Sequence, residues 1–490
     1  MSAAWPLPVC TPGPFDGSRE SFGRHVEALG RMMAGDGCFW SAPFAPPPLP
    51  DKFPIALVVP TSGSTGTPKA VVHTLGSVHA SQDATARALG GHGAWLPFLP
   101  PTHIAGIQVV ARALRTQQVL DHAGSGGSPA SVLGPLPRLA DSFTPRTVLS
   151  ALDSWDIPEL PLFTSFVPTQ LQRLLAPEHG SVDPAVVAAL QRFDAILVGG
   201  AATPAPLLEQ ARDLGIRLVT TYGSSETAGG CVYNGQPVPG VRLSLTPAGV
   251  LQVDAPSVAL GYLSPDGELT EFPSAPTPPP APTPGHGRTP GNTGANGHQI
   301  VGRSEQSSTG ARRFVTSDLA ELIPQRADDP SRGSHSVPQQ TAHGNAVSLR
   351  ILGRADHVIN TGGMKVNPLQ VEAAILTDPR IAAAVVVGVP DDQWGERVEA
   401  LVVPASAGKP VTEGDRATEG DRATEGERGA VNASAGREDL RAAVECAITA
   451  CGLPRHCVPK ITHLVSRLPL LAPGKVDRAA ARVIAQQNST

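Results

Sequence analysis

A short loop rich in glycine and hydroxyl side chains does most to limit what this chain can fold into. It lies in LVVPTSGSTGTPKAVVHT (57–74), after an apolar run at 55–59 predicted as a strand and before a segment predicted as a helix. Glycine lets backbone N–H groups approach phosphate oxygens, while hydroxyls and a lysine add hydrogen bonds and charge. The pattern therefore predicts a phosphate-binding loop. Its candidate residues are Thr61, Ser62, Gly63, Ser64, Thr65, Gly66 and Lys69.

Two alternatives to this interpretation are disfavoured. A Walker A loop, GxxxxGK[ST], would need glycine where Pro68 stands and a magnesium-binding hydroxyl where Ala70 stands. An ordinary polar turn would not need hydroxyl residues that alternate so regularly with Gly63 and Gly66. The sequence therefore favours a phosphate loop of a different type from that of Walker NTPases.

The rest of the chain alternates strand-like and helix-like patterns. Apolar runs at 195–198, 217–221 and 250–254 predict strands, and the patterns at 73–89 and 204–214 predict helices, the second capped by Thr203. This alternation predicts an α/β fold with parallel-rich sheets and packed helices in a large N-terminal domain, 1–352. We expect a smaller, mobile α+β C-terminal domain at 353–490, with helices at 367–376 and 437–451 and strands at 381–389 and 398–403.

Three segments are too polar or too rich in proline to bury a core. The chain has 51 glycines and 51 prolines among 490 residues, and many of them lie in two predicted disordered inserts, 264–312 and 325–346. A TEGDRA-type repeat occupies 412–429 and is interpreted as an expanded surface loop.

Composition excludes several classes of function. The net charge is −5 without basic clusters, which argues against nucleic-acid binding. No apolar run is long enough to span a membrane, and the N-terminus does not resemble a signal peptide, so we expect no stable membrane insertion and a cytoplasmic protein. Six cysteines without a CxxC pair predict reduced thiols. Cys446, Cys451 and Cys457 are interpreted as packing residues rather than zinc ligands.

The loop resembles the signature of the adenylate-forming ligases, which include acyl-CoA synthetases, and further motifs follow in the family's order. The family's second signature is similar to TTYGSSETAGG (220–230), and the position of its ribose-binding acid lies in RFVTSDLAEL. The hinge motif is similar to ILGRADHVINTGGMKV, and the terminal motif is similar to LPLLAPGKVDR. Ser317 stands where the family usually has glycine, and His357 replaces the charged residue often found after the pivot.

The resemblance implies roles for individual residues. Adenine would lie against Tyr222, Gly223, Gly199, Gly200 and Ala201, and ribose would be bound by Asp318 and Arg354. Ser225 would contact phosphate, Glu226 would hold Mg²⁺, and Lys475 would be the catalytic lysine. The pantetheine of coenzyme A would meet Gly362 and Gly363. Asp356 would be the pivot between the domains.

Three parts of the sequence resemble the o-succinylbenzoate–CoA ligases of menaquinone biosynthesis, especially the actinobacterial ones. They are the short region before the phosphate loop, residues 95–114 and residues 165–175. His103 would then form a wall of the acyl pocket, with a hydrogen-bonded core histidine as the alternative. Arg112, Thr169 and Ser224 are the candidates to bind the second carboxylate of an aromatic dicarboxylic acid, since an unpaired buried charge is costly.

As a whole, the resemblance implies an enzyme that uses ATP and Mg²⁺ to adenylate a carboxylic acid and then transfers the acyl group to coenzyme A. Another aryl- or acyl-CoA ligase and a ligase that loads a carrier protein are the alternatives. The oligomeric state is left open, with a homodimer among the options.

Overall fold

The structure is a computed structural model that describes residues 7–49, 52–61, 69–124, 132–136, 143–176, 181–276, 310–324, 347–405, 439–471 and 475–488, with only the backbone at Leu471 and Lys475. The described helices are α1 (Arg19–Ala34), α2 (Leu75–Leu89), α3 (Ile104–His122), α4 (Pro145–Asp153), α5 (Pro168–Leu174), α6 (Pro184–Gln191), α7 (Ala205–Asp213), α8 (Pro368–Ile375), α9 (439–450) and α10 (Arg478–Asn488).

The strands up to the predicted domain boundary, which the last of them crosses, are β1 (Val9–Cys10), β2 (Cys38–Trp40), β3 (Ile55–Pro60), β4 (Ala70–Thr74), β5 (Ala94–Leu96), β6 (Leu162–Phe166), β7 (Ala195–Val198), β8 (Leu218–Ser224), β9 (Gly229–Tyr233), β10 (Gln236–Pro237), β11 (Arg242–Leu245), β12 (Val250–Ala255), β13 (Gly261–Leu263), β14 (Leu269–Glu271), β15 (Arg312–Pro324) and β16 (Val347–Arg354). The strands that follow are β17 (Ile359–Thr361), β18 (Met364–Val366), β19 (Ile381–Asp391), β20 (Gly395–Pro404), β21 (Ile461–Leu464), β22 (Leu470–Leu471) and β23 (Lys475–Val476).

Three sheets form the large N-terminal part. The first has the order β1-β2-β3-β4-β13-β14, with β1, β2 and β3 parallel and the rest antiparallel. The second, β10-β9-β8-β7-β6-β5, has four parallel strands from β5 to β8. The third, β11-β12-β15-β16, is antiparallel throughout. The α/β prediction and its parallel sheet are therefore confirmed.

Helix α3 lies between the first two sheets and is buried on both sides. Ile107 and Val110 pack with residues of the first sheet, whereas Val109 and Ala113 pack with Trp95 and other residues of the second. Helices α4, α5 and α6 cover the other side of the second sheet, around Phe98 and Phe166. The polar residues that α3 carries between these layers are thereby held in fixed positions.

The C-terminal part is smaller and has cores of its own. Strands β17 to β20 form an antiparallel sheet, to which β21 adds in parallel, and helices α8 and α9 pack against it. Helix α8 begins where expected, because the Asn367 side chain accepts a hydrogen bond from the Leu369 N–H. Helix α10 packs on the sheet through Ala481 and Ala485.

Several local predictions are wrong. The phosphate loop leads into strand β4 and not directly into a helix; α2 begins only at Leu75, capped by Thr74. Helix α7 has Pro204 as its N-cap in place of Thr203.

Cys446 and Cys451 are exposed, whereas Cys457 is buried as expected. Within the described part of the chain, no group of three or more His, Cys, Asp or Glu side chains is placed to hold a metal ion.

The predicted insert 264–312 begins too early. Residues 269–271 form β14, which pairs with β13, and Ser274 bridges to Arg312 across the gap. The Ala275 N–H donates to the Ala311 carbonyl over 2.8 Å, so the two ends of this segment meet. The insert 325–346, the repeat 412–429 and residues 277–309 lie outside the described residues.

Candidate active site

Ser225 and Glu226 follow strand β8 and lie where the first and second sheets meet. His73 of β4 places its Nε2 2.7 Å from the Ser225 carbonyl, so it donates there from a neutral ring. The Ser225 hydroxyl in turn donates to the Pro60 carbonyl at the end of β3, over 3.3 Å. Complete burial lowers the pKa of His73 to about 4, which keeps the ring neutral near pH 7. The second signature is thus fastened to the base of the phosphate loop.

The strands on either side of the phosphate loop, β3 and β4, pair with each other. Pro60 pairs with Ala70 across β3 and β4, and the Thr61 N–H donates to the Lys69 carbonyl over 3.4 Å. Lys69 is exposed. The other candidate residues of this loop, Ser62, Gly63, Ser64, Thr65 and Gly66, lie outside the described residues.

The carboxylate of Glu226 is held by a residue that the sequence analysis did not identify. Tyr262 of β13 donates its hydroxyl to Glu226 Oε1 over 2.8 Å. The ammonium of Lys69 lies 6.0 Å from the centroid of the Tyr262 ring. Burial, together with the nearby Glu226 charge, raises the pKa of Tyr262. The chain has only three tyrosines, and this scarcity was a signal that could have drawn attention to Tyr262.

Tyr222 and Asp318, both predicted to contact the nucleoside, are joined by a hydrogen bond of 2.5 Å from the tyrosine hydroxyl to Asp318 Oδ2. Burial and this carboxylate raise the pKa of Tyr222. Asp318 pairs in register with Arg354 at the end of β16. The Arg354 guanidinium binds both oxygens of Asp356, at 2.8 and 2.7 Å, and these hydrogen bonds lower the pKa of Asp356. The ribose-binding and hinge candidates are therefore contiguous.

Gly199 and Gly223 lie where the chain around Tyr222 packs too closely for a side chain. A Cβ on Gly199 would lie 2.1 Å from Thr221 Oγ1, and one on Gly223 would lie 2.1 Å from the Gly229 carbonyl oxygen. Gly200 has φ of +84°, which glycine adopts without strain. Ala201 follows in the exposed turn after β7. Larger side chains at Gly199 or Gly223 would displace β8.

Arg112 of α3 carries a buried charge without a carboxylate partner among the described residues. Its side chain lies against Trp95, with 5.1 Å from the guanidinium carbon to the ring centroid, and its Nη2 is 3.4 Å from the Tyr233 hydroxyl. Arg112 is 6% exposed, and its Nε has no hydrogen-bond partner in the described part of the chain. A cavity of about 10 Å³ beside it has room for one water.

Two further polar atoms near Arg112 also lack partners among the residues described. They are the Oε1 of Gln108, one turn earlier on α3, and the hydroxyl of Ser224. Gln108 donates to the Ala228 carbonyl over 2.7 Å, and a Cβ on Gly229 would lie 3.9 Å from Arg112 Nη2. Unpaired polar groups and a cation therefore flank residues 224–229. Arg112 and the Ser224 hydroxyl can donate hydrogen bonds to a ligand that carries negative charge, whereas Gln108 Oε1 can only accept.

The remaining candidates lie elsewhere in the fold. His103 is the exposed N-cap residue of α3, with its Nδ1 3.0 Å from the Thr102 hydroxyl, and Thr169 is half-buried in the first turn of α5. Gly362 and Gly363 form the turn between β17 and β18, with φ of +58° and +77°. Lys475 begins β23, where its backbone pairs with Leu471.

The described helices include none that is long and apolar enough to cross a membrane.

Family models for "AMP-binding enzyme" and "AMP-binding enzyme C-terminal domain" match residues 17–118 and 370–475. A "Probable 2-succinylbenzoate–CoA ligase" of Mycobacterium tuberculosis is 32% identical over 436 residues, which cover 87% of this chain and 83% of that protein. A 2-succinylbenzoate–CoA ligase of Geobacillus kaustophilus is 28% identical, over 71% of this chain and 59% of that protein.

Solved structures support the same fold. The o-succinylbenzoate–CoA synthetase of Bacillus subtilis, in complex with its acyl-adenylate intermediate, matches with a TM-score of 0.50 and 20% identity, over 87% of this chain and 69% of that chain. This match shows the fold, and the family is shown by the Mycobacterium tuberculosis relative, with 32% identity over 87% of this chain, together with the two family models. The chain belongs to the family of AMP-binding enzymes, the adenylate-forming ligases.

Proposed function

We propose that this protein is an ATP-dependent, AMP-forming ligase that converts o-succinylbenzoate to its coenzyme A thioester in menaquinone biosynthesis. The observation that carries the proposal is the 32% identity with the Mycobacterium tuberculosis relative over 87% of the chain. The buried Arg112 supports it independently, because a dicarboxylic acid brings a second negative charge that needs a cation.

The first half-reaction activates the acid. A carboxylate cannot acylate a thiol directly because oxide would have to leave, so its oxygen attacks the α-phosphorus of ATP and pyrophosphate departs. Negative charge on the phosphoryl oxygens would be balanced by Lys475, Lys69 and the hydroxyl and backbone groups of the loop 61–66. Ser225, fixed by His73 and Pro60, would contact the phosphate.

Glu226 fits a magnesium site of the kind that nucleotide-binding enzymes use. Mg²⁺ is commonly bound by one or two carboxylates plus substrate phosphates and water, and Glu226 offers one half-buried carboxylate next to the phosphate-loop strands. When bound, Mg²⁺ would neutralise charge on the phosphates. Tyr222, Gly223 and Gly199 to Ala201 would hold adenine, and Asp318 and Arg354 would hold ribose.

In the second half-reaction the coenzyme A thiol loses its proton to solvent and attacks the acyl carbon. The carbon–sulfur bond forms as the bond to AMP breaks. We propose that the C-terminal domain, 353–490, turns about Asp356, withdraws Lys475 and presents the Gly362–Gly363 turn to the pantetheine. His103 would form part of the acyl pocket wall. A cytoplasmic location and a homodimer stay predictions.

Pyrophosphate release across a panel of acids tests the proposal. We expect kcat/KM for o-succinylbenzoate to exceed that for benzoate, phenylacetate and medium-chain fatty acids by at least about a hundredfold, since a monoacid leaves the site's polar groups unpaired. Comparable turnover of a simple aryl or fatty acid would favour another acyl-CoA ligase. Acyl transfer to a carrier protein with coenzyme A omitted would favour a carrier-loading ligase.

A further inference from the structure

Tyr262 connects two parts of the active site that are far apart in sequence, Glu226 and Lys69. Its hydroxyl donates to Glu226 Oε1 over 2.8 Å, and the face of its ring lies 6.0 Å from the Lys69 ammonium. Its ring also packs edge-on against Phe272, with 4.9 Å between the centroids. The hydroxyl is therefore directed by a ring that neighbouring residues hold on more than one side.

The position of Tyr262 is set by backbone pairing with the strand that follows the phosphate loop. Strand β13 pairs antiparallel with β4, with Tyr262 opposite Val71, two residues after Lys69. Val71 is itself opposite Val59 of β3, which leads into the loop. Tyr262 and the base of the phosphate loop thus belong to one continuous ladder and cannot shift independently.

The same segment also holds the backbone of Glu226. The Ala259 N–H donates to the Glu226 carbonyl over 2.8 Å, three residues before Tyr262. Residues 259–262 therefore fix both the main chain and the carboxylate of Glu226. Because Tyr262 engages Oε1, the carboxylate cannot rotate freely, and its other oxygen takes a defined direction.

We propose that Tyr262 is a positioning residue that orients the Glu226 carboxylate toward the divalent cation of bound ATP. The proposal rests on the function proposed above, in which Glu226 holds Mg²⁺. Hydrogen-bond partners of metal ligands commonly contribute ten- to a hundredfold in metal affinity. In this proposal Tyr262 acts through the Glu226 carboxylate, to which its hydroxyl donates.

The test measures ATP binding and requires no turnover. The dissociation constant of ATP is determined calorimetrically without a carboxylic acid, once with saturating Mg²⁺ and once with EDTA, and the ratio of the two is the magnesium gain. We expect Tyr262→Phe to reduce this gain by about tenfold and to leave the affinity in EDTA unchanged. The EDTA value also reports whether the nucleotide site of the variant is folded.

Two further variants make the test specific. Glu226→Gln should abolish most of the gain, and Tyr262→Phe added to it should have no further effect, since the hydroxyl would then have no carboxylate to orient. Tyr233→Phe removes another buried tyrosine hydroxyl, one that contacts Thr85 and Arg112, and should keep the full gain.

The outcomes separate the inference from the function beneath it. If Glu226→Gln loses the gain while Tyr262→Phe keeps or increases it, Tyr262 does not orient the ligand, and the inference alone is overturned. If the unaltered protein shows no magnesium gain, or if Glu226→Gln leaves it intact, the assigned role of Glu226 fails, and the inference fails with it.

Discussion

The hydroxyl of Tyr222 hydrogen-bonds to the carboxylate of Asp318 over 2.5 Å and so connects β8 of the second sheet with β15 of the third. Two residues assigned to different parts of the nucleoside therefore depend on each other. The bond fixes the carboxylate before any ribose is bound.

Tyr222→Phe should separate these roles, because phenylalanine keeps the aromatic face but cannot hold Asp318. A hydrogen bond to a charged group contributes about 1.5–3 kcal/mol, so we expect KM for ATP to rise about tenfold or more. The preference for ATP over 2′- and 3′-deoxy-ATP should shrink, and KM for the carboxylic acid should stay unchanged. Steady-state pyrophosphate release with the three nucleotides measures this; an unaltered preference would contradict it.

Arg112→Gln should remove the discrimination between diacid and monoacid. We expect kcat/KM for o-succinylbenzoate to fall at least about a hundredfold, since the second carboxylate loses its cation, while kcat/KM for 3-benzoylpropionate changes little. Arg115→Gln is the matched control: it lies on the same helix but pairs with Asp83 over 3.0 Å. Equal losses with both acids would show that Arg112 acts only on packing.

Lys475→Ala and Gly363→Leu should affect opposite half-reactions. Loss of the lysine charge should slow pyrophosphate release about 10²- to 10³-fold yet leave the conversion of supplied acyl-adenylate to thioester intact. A Cβ added at Gly363 would meet no heavy atom of the described residues within 4 Å beyond its chain neighbours, so Gly363→Leu should leave the fold largely intact apart from about 1–2 kcal/mol of strain at φ +77°. The branched side chain on this turn should obstruct the approach of the thiol. Equal loss of both steps in Lys475→Ala would contradict the rotating-domain mechanism.

His73 should make stability depend on pH below neutrality. The pKa of His73 is about 4 in the fold and near its ordinary value of 6.5 when the chain is unfolded, so between these values the unfolded chain binds more protons. The His73 contribution is therefore complete above about pH 6.5 and is lost as the pH falls toward 4. Between pH 7 and pH 5, the free energy of unfolding should fall by about 2 kcal/mol more in the unaltered protein than in His73→Gln, as measured by urea unfolding. If the free energies of the two proteins changed in parallel with pH, the assignment to His73 would be disproved.

Replacement of 277–309 by a short Gly-Ser linker should leave the first half-reaction nearly unchanged. The Ala275 N–H and the Ala311 carbonyl already lie 2.8 Å apart, and each halving of a loop changes its closure entropy by only about 0.6 kcal/mol. Deletion of the repeat 412–429 should be equally mild. A hundredfold loss in a variant that still folds would show that these segments contribute to the site.

The sequence predicts much of the site because motif residues such as Ser225, Glu226 and Asp318 carry their chemistry locally. Strand β4 was missed because its alanine and the Ala-rich stretch behind it suggested a helix, although Val71 and Val72 favour a strand. Tyr262 could not be placed on Glu226 from the sequence, since its position depends on β13 pairing with a strand about 190 residues earlier. Such long-range register leaves no periodic signal.

Strand β4 also determines where the positive charge at the phosphates comes from. Helix α2 begins at Leu75, five strand residues and about 16 Å of extended chain beyond Lys69, so its dipole is too distant to act on the loop. In a Walker loop, the positive end of the dipole of the following helix stabilises the phosphates, whereas this loop depends on side-chain cations such as the exposed Lys69. Exposed charges are screened by salt, and the affinity of this enzyme for nucleotide should therefore decline steeply with ionic strength.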